Sequence, residues 1–134
     1  MVIWLNCYME ERNYLKLNQI EAYNISIDMS NFIWNIVIKW DNFAKDTVGK
    51  QFIRASDSIS ANIAEGFGRY HKKDKIKHYY YSKGSVLETV DWNEKSLIRN
   101  LITVKEHNEI LKQLKSLPKS INSLIKFTND NLKI

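Results

Sequence analysis

Across 134 residues the chain carries only four glycines, Gly49, Gly66, Gly68 and Gly84, and one proline, Pro118. A β-sandwich or barrel of this length needs a turn every few residues, and Gly and Pro supply most of them. So few breakers leave room only for a few long elements, and long elements in a small domain are helices. One domain is expected at this length, large enough to bury a core without staples.

Hydrophobic spacing places four helices near residues 18–44, 47–69, 73–100 and 104–131. In the first, Ile20, Tyr23, Ile27, Trp34 and Val37 form one stripe. Ile25, Met29, Phe32, Ile36, Trp40 and Phe43 form a second. Two stripes make a helix apolar over more than half its circumference, so it is either a central core helix or one that also packs on another subunit. Ile25, Phe32, Ile36 and Trp40 are the candidates for such an intersubunit face. The second helix, with Asp46 or Thr47 as N-cap, has the stripe Val48, Phe52, Ala55, Ile59, Ile63 and Phe67, and it is rich in small residues. Gly66 and Gly68 suit its terminus. The third has the stripe Ile76, Tyr80, Leu87, Val90, Leu97 and Leu101. A glycine inside a helix costs about 1 kcal/mol relative to alanine, so Gly84 is read as a close helix contact. Thr103 and Glu106 form a capping-box pattern at the start of the fourth. Its stripe is Val104, Leu111, Leu114, Ile121, Ile125 and Thr128. Pro118 predicts either a kink or a split with Ser116 as a second N-cap. Long helices with short connections favour antiparallel neighbours. The expected fold is therefore all-α, an antiparallel up-down-up-down four-helix bundle over 18–134, preceded by an arm or helical extension over 1–17.

The single cysteine, Cys7, cannot form an intramolecular disulfide, which fits a reducing, cytoplasmic setting. No apolar run approaches the roughly 18 residues of a membrane span. The apolar start, Met1 to Leu5, lacks a basic flank and is not read as a signal peptide.

Charge is unevenly placed. The segment from Arg69 to Lys83 holds Arg69, Lys72, Lys73, Lys75, Lys77 and Lys83 against one acid, Asp74, and so matches the +5 excess of the whole chain. It is interleaved with Tyr70, Tyr79, Tyr80 and Tyr81. Lysines neutralise phosphates and tyrosine faces stack on bases, so the six cations are candidate nucleic-acid contacts. The alternative is a solvated, lysine-rich helix start, although cations at a helix N-terminus oppose the dipole.

The stretch from Gly49 to Arg69 contains Gln51, Arg54-Ala55, Ser58-Ile59, Asn62-Ile63-Ala64-Glu65-Gly66 and Gly68-Arg69. It resembles the signature of a bacterial family of four-helix-bundle proteins encoded in intervening sequences of large-subunit ribosomal RNA genes. Gly84-Ser85 followed by Glu88 resembles that family's third-helix motif. The likeness covers about residues 20 to 132. Ser60 stands where the family usually has proline or glycine, and Pro118 falls in a helix the family builds unbroken. The resemblance implies a ring-like homopentamer. It also implies kinship with the accessory variability determinant of diversity-generating retroelements, a basic pentamer that binds nucleic acid and a reverse transcriptase.

Within that signature, Arg54, Asn62, Glu65, Gly66, Arg69, Gly84, Ser85 and Glu88 form the candidate structural motif. The polar members are either a site for RNA or a partner protein, or a buried or interface hydrogen-bond network. Glu88 has Arg54 and Arg69 as candidate partners. His71, Asp74 and His78 share a helix face at metal-ligand spacing, but the surrounding lysines would repel a cation, so no metal is expected. His107 reads as an isolated surface residue. No phosphate-cradling glycine loop, zinc-protease helix or nucleophile elbow occurs. The expectation is a non-catalytic protein without cofactor. It is either a nucleic-acid-associated accessory protein binding RNA or DNA phosphates, or a structural or protein-interaction oligomer with no such affinity.

Overall fold

The computed structural model describes residues 16–133. The expected arm over residues 1–17, and Cys7 within it, lies outside the described residues apart from Lys16 and Leu17. The chain is described from Lys16 and makes a 3₁₀ turn at Leu17–Gln19. Four long helices follow: α1 (Glu21–Val37), α2 (Lys50–Gly68), α3 (Lys72–Ile98) and α4 (Val104–Asn131). Among the described residues there is no strand, and no helix is long and apolar enough to cross a membrane.

α1 packs on α2 and α4, and α3 packs on the same two, so α1 and α3 occupy opposite corners of the bundle. Side-chain pairings show neighbours running in opposite directions. Along α2 and α3, Phe67 meets Lys75, Ile59 meets Ser82 and Arg54 meets Glu88. Along α3 and α4, Asn93 meets His107 and Lys83 meets Asn122. The core between them is built from Met29, Ile33 and Val37, from Phe52, Ile59 and Ile63, from Tyr79 and Val86, and from Ile110, Leu114, Leu117 and Ile121.

Several expectations about the helices are corrected. The first helix stops at Val37, not Ala44. The chain then turns, and Asp41 caps the next helical segment by accepting from the Ala44 N–H at 2.9 Å. That segment, Asn42–Ala44, runs through a π-turn at Lys45–Gly49 into α2, so the cap is Asp41 rather than Asp46 or Thr47. Trp40 and Phe43 therefore do not belong to α1. Ile25, Ile36 and Trp40 pack against the core, while Phe32, Trp34 and Ile38 are the more open apolar residues here. The wider turn at Lys45–Gly49 is crowded: a Cβ on Gly49 would sit 2.7 Å from Val37 Cγ1.

In α3 the core-facing line is Tyr79, Ser82, Val86, Thr89, Asn93 and Ser96. It is rotated from the apolar stripe read in the sequence. Leu87 is 72% exposed and Ile98 75%. The inner line tolerates burial because its hydroxyls have partners. Ser82 donates to the Ile59 carbonyl at 2.8 Å, Thr89 to the Ser85 carbonyl at 2.7 Å and Ser96 to the Trp92 carbonyl at 2.7 Å. Gly84 makes no close helix contact, since a Cβ there would meet nothing within 4 Å. The close approach occurs at Gly66 instead, where a Cβ would lie 2.7 Å from Tyr79 Cε1 and 2.8 Å from the Lys75 carbonyl oxygen.

α3 ends in a Schellman motif. Asn100 adopts a left-handed φ of 59°, Leu101 N–H donates to the Ser96 carbonyl at 2.8 Å and Asn100 N–H to the Leu97 carbonyl at 3.0 Å. The capping box at Thr103 is present with both bonds, Glu106 N–H to Thr103 Oγ1 at 3.0 Å and Thr103 N–H to Glu106 Oε1 at 2.9 Å. Pro118 lies inside α4 without splitting it, so Ser116 is not a second N-cap; its hydroxyl donates to the Gln113 carbonyl at 2.8 Å. The remaining backbone bonds of so long a helix hold it together, and the missing donor at Pro118 is a local defect.

Candidate nucleic-acid interface

The sharp connection between α2 and α3 is made possible by Gly66. With no side chain there, the start of α3 can press on the end of α2, and only residues 69–71 separate the helices. That geometry places Arg69, Lys72, Lys73 and Lys75 at one end of the bundle, while Lys83 lies near the middle of α3, against Asn122 of α4.

The six cations of the segment are not equivalent. Arg69 pairs with Glu65 at 2.5 Å and Lys77 lies 4.0 Å from Asp74. Lys75 is half-buried. Its ammonium donates to the Phe67 carbonyl at 2.7 Å and sits 5.5 Å from the centroid of the Phe67 ring. It satisfies an orphan carbonyl at the end of α2, the favourable place for a cation relative to the dipole. Lys83 donates to Asn122 Oδ1 at 2.9 Å and lies 5.4 Å from the Tyr80 ring centroid. Lys72 and Lys73 form no ion pair or hydrogen bond among the described residues. The tyrosines also divide. Tyr70, Tyr80 and Tyr81 are exposed, Tyr70 by 76%. Tyr79 is buried, and desolvation pushes its hydroxyl up to about 12 against a hydrogen bond with Thr128 that pulls the other way. It belongs to the core and cannot stack on a base.

The polar signature residues do not form a network buried within the chain. Arg54, its side chain 67% exposed, donates to Gln51 Oε1 at 2.9 Å and stands 3.8 Å from Glu88. Of the two candidate partners for Glu88, the structure thus selects Arg54. Asn62 is half-buried and donates back to its own helix at the Ser58 carbonyl, 2.9 Å. Glu65 is engaged by Arg69. Gly84 is exposed and Ser85 half-buried, with its carbonyl taken by Thr89. Open ion pairs of this kind each contribute about 0–1 kcal/mol.

His107, read from sequence as an isolated surface residue, is buried. Its Nε2 lies 2.7 Å from Glu94 Oε1, and its carbonyl accepts from Asn93 Nδ2 at 3.1 Å. The sequence does carry a signal for this: His107, Ile110, Leu114, Leu117 and Ile121 follow one another at three- and four-residue steps, so His107 continues the buried stripe. The described residues hold no group of three His, Cys, Asp or Glu side chains able to hold a metal ion.

The fold and this end together define a four-helix-bundle protein with a basic connection between α2 and α3. The chain belongs to the 23S rRNA-intervening sequence protein family, whose model matches residues 18–123. Among solved structures it is similar to a protein with unknown function from the S23 ribosomal protein family of Bacteroides thetaiotaomicron. That match has 24% identity and a TM-score of 0.69, covering 78% of this chain and 98% of that one, a likeness of fold. No curated protein matches the sequence significantly.

Proposed function

We propose that the protein is a non-catalytic, cytoplasmic accessory protein that binds RNA or DNA phosphates through the basic end of the bundle. The bundle itself is read as the subunit of a homopentamer, the stoichiometry implied by the family resemblance. The observation that carries the reading is the pair Lys72 and Lys73 at the start of α3, without ionic partners among the described residues. A ring of subunits would repeat this corner and multiply its charge. Phosphate contacts of this kind position a backbone without reading sequence.

The test is affinity for a structured RNA at two salt concentrations. Wild type is compared with a variant in which Lys72, Lys73 and Lys77 are replaced by glutamine. Lys75 is left in place because it holds the end of α2. Wild-type affinity should fall steeply with salt, and the logarithmic slope should shrink by about 0.7–0.9 for each phosphate the variant no longer neutralises. The variant should bind more weakly with a flatter slope and unchanged helix content. Absence of binding by either protein at low salt leaves the second reading, a protein-interaction oligomer without nucleic-acid affinity. That reading is favoured by the exposed Leu87 and Ile98 on the outer side of α3.

A further inference from the structure

Beside the α2–α3 turn lies a cleft of ≈ 510 Å³, within the range of roughly 300–1,000 Å³ typical of ligand sites. Phe67 and Tyr70 line it from the turn side, and Phe127 from the last turns of α4. Tyr79 and Leu124 are buried residues at its base, which makes that base part of the packed core rather than a mobile loop. Its polar lining is Arg69, Lys75, Thr128 and Asn131, and no carboxylate is among the lining residues. The cleft therefore combines aromatic walls with a cationic rim, and Lys72 and Lys73, which do not line it, begin the helix that carries Lys75. A neutral aliphatic ligand leaves that rim unused, an aliphatic anion leaves the ring faces unstacked, and a cation is disfavoured by the rim. The chemistry that fits is a flat aromatic ring carried on an anionic backbone.

We propose that the cleft receives one unstacked nucleobase of a single-stranded or looped RNA. The rings of Tyr70 and Phe127 contact the base, and the flanking phosphates meet Arg69, Lys72 and Lys73. This rests on the phosphate-binding reading above and adds a preference to it. Arg69 can be redirected at little cost, because its pair with Glu65 is half exposed on both sides and such pairs are weak. Lys75 steadies the Phe67 wall through its contact with ring and carbonyl. Asn131 uses its Nδ2 on the Phe127 carbonyl at 2.8 Å, leaving Oδ1 to accept from a base edge. Stacking tolerates any base, so the expected selectivity is for strandedness rather than sequence. A duplex keeps its bases stacked and would have to extrude one to fill the cleft.

The experiment uses the full chain and three probes: a short single-stranded RNA carrying one 2-aminopurine, the same strand in a duplex, and free 2-aminopurine ribonucleotide. Single-stranded RNA should bind about tenfold more tightly than the duplex at moderate salt. The fluorescence of its 2-aminopurine should be quenched. Phe127→Ala and Tyr70→Ala, both at exposed rings, should each lower single-strand affinity severalfold and remove the quenching. Duplex affinity and the helical circular-dichroism signal should stay as in wild type. Equal affinity for strand and duplex without quenching overturns the cleft proposal and leaves phosphate binding standing. Binding of neither RNA at low salt overturns both readings. Quenching by the free nucleotide without preference for the strand overturns the RNA assignment in favour of a mononucleotide site. Equal losses on strand and duplex in the variants mark those rings as structural and overturn the proposal as well.

Discussion

Gly66→Ala and Gly84→Ala are the same chemical change in two helices of one bundle, and the structure gives them opposite signs. At Gly66 the new methyl would lie 2.7 Å from Tyr79 Cε1 and 2.8 Å from the carbonyl oxygen of Lys75. Neither neighbour can yield cheaply. The Tyr79 ring is buried and the other atom is backbone at the start of α3. Overpacking of this kind costs about 1–3 kcal/mol, whereas replacing a helical glycine by alanine gains at most about 1 kcal/mol. The net expectation is a loss of roughly 1–2 kcal/mol for Gly66→Ala. At Gly84 nothing lies within 4 Å, so only the difference in helix propensity remains and Gly84→Ala should gain up to about 1 kcal/mol. Urea unfolding followed by far-ultraviolet circular dichroism, at one fixed protein concentration, reads both numbers. A Gly66→Ala variant as stable as wild type would refute the claim that α2 and α3 meet without clearance at that point.

Two further outcomes are expected. Tyr79 has a hydroxyl pKa raised by burial to about 12, from an unfolded value near 10; the folded form holds the proton more tightly, so the stability present below pH 10 should be lost as pH rises from about 10 to 12. Tyr79→Phe should flatten that decline in a pH series of urea midpoints. Asn100→Gly removes a side chain from a left-handed φ of 59° and should raise the thermal midpoint modestly, by up to about 1 kcal/mol of stability.

The parts of the fold legible in the sequence are those written in adjacent residues. Thr103 and Glu106 satisfy each other across a single turn, so the start of α4 can be read directly. The end of α1 cannot. Trp40 and Phe43 carry the apolar spacing past Val37, and only the side chain of Asp41, turned back to the Ala44 N–H, marks a new beginning. The phase of α3 is hidden because hydropathy points outward there. Leu87 and Ile98 are exposed, while serine and threonine face the core with their hydrogen bonds closed. The basic corner is visible in the sequence as charge, but its division of labour is not. That Lys75 reaches back to Phe67 depends on a turn geometry set by Gly66, which sequence spacing does not express.

The polar inner line of α3 has a consequence for how the bundle can move. Small residues on α2 offer a smooth track, and packing alone would let a neighbouring helix slide along it by one turn, about 5.4 Å. Two cross-helix bonds forbid this from opposite sides: Ser82 to the Ile59 carbonyl on α2, and Asn93 to the His107 carbonyl on α4. A one-turn slip would strand both buried donors together, at about 1–3 kcal/mol each. α3 is thus pinned lengthwise like a bolt between two catches. Lys72 and Lys73 at one of its ends keep their place against the end of α2, whatever docks at Ile98 on the other.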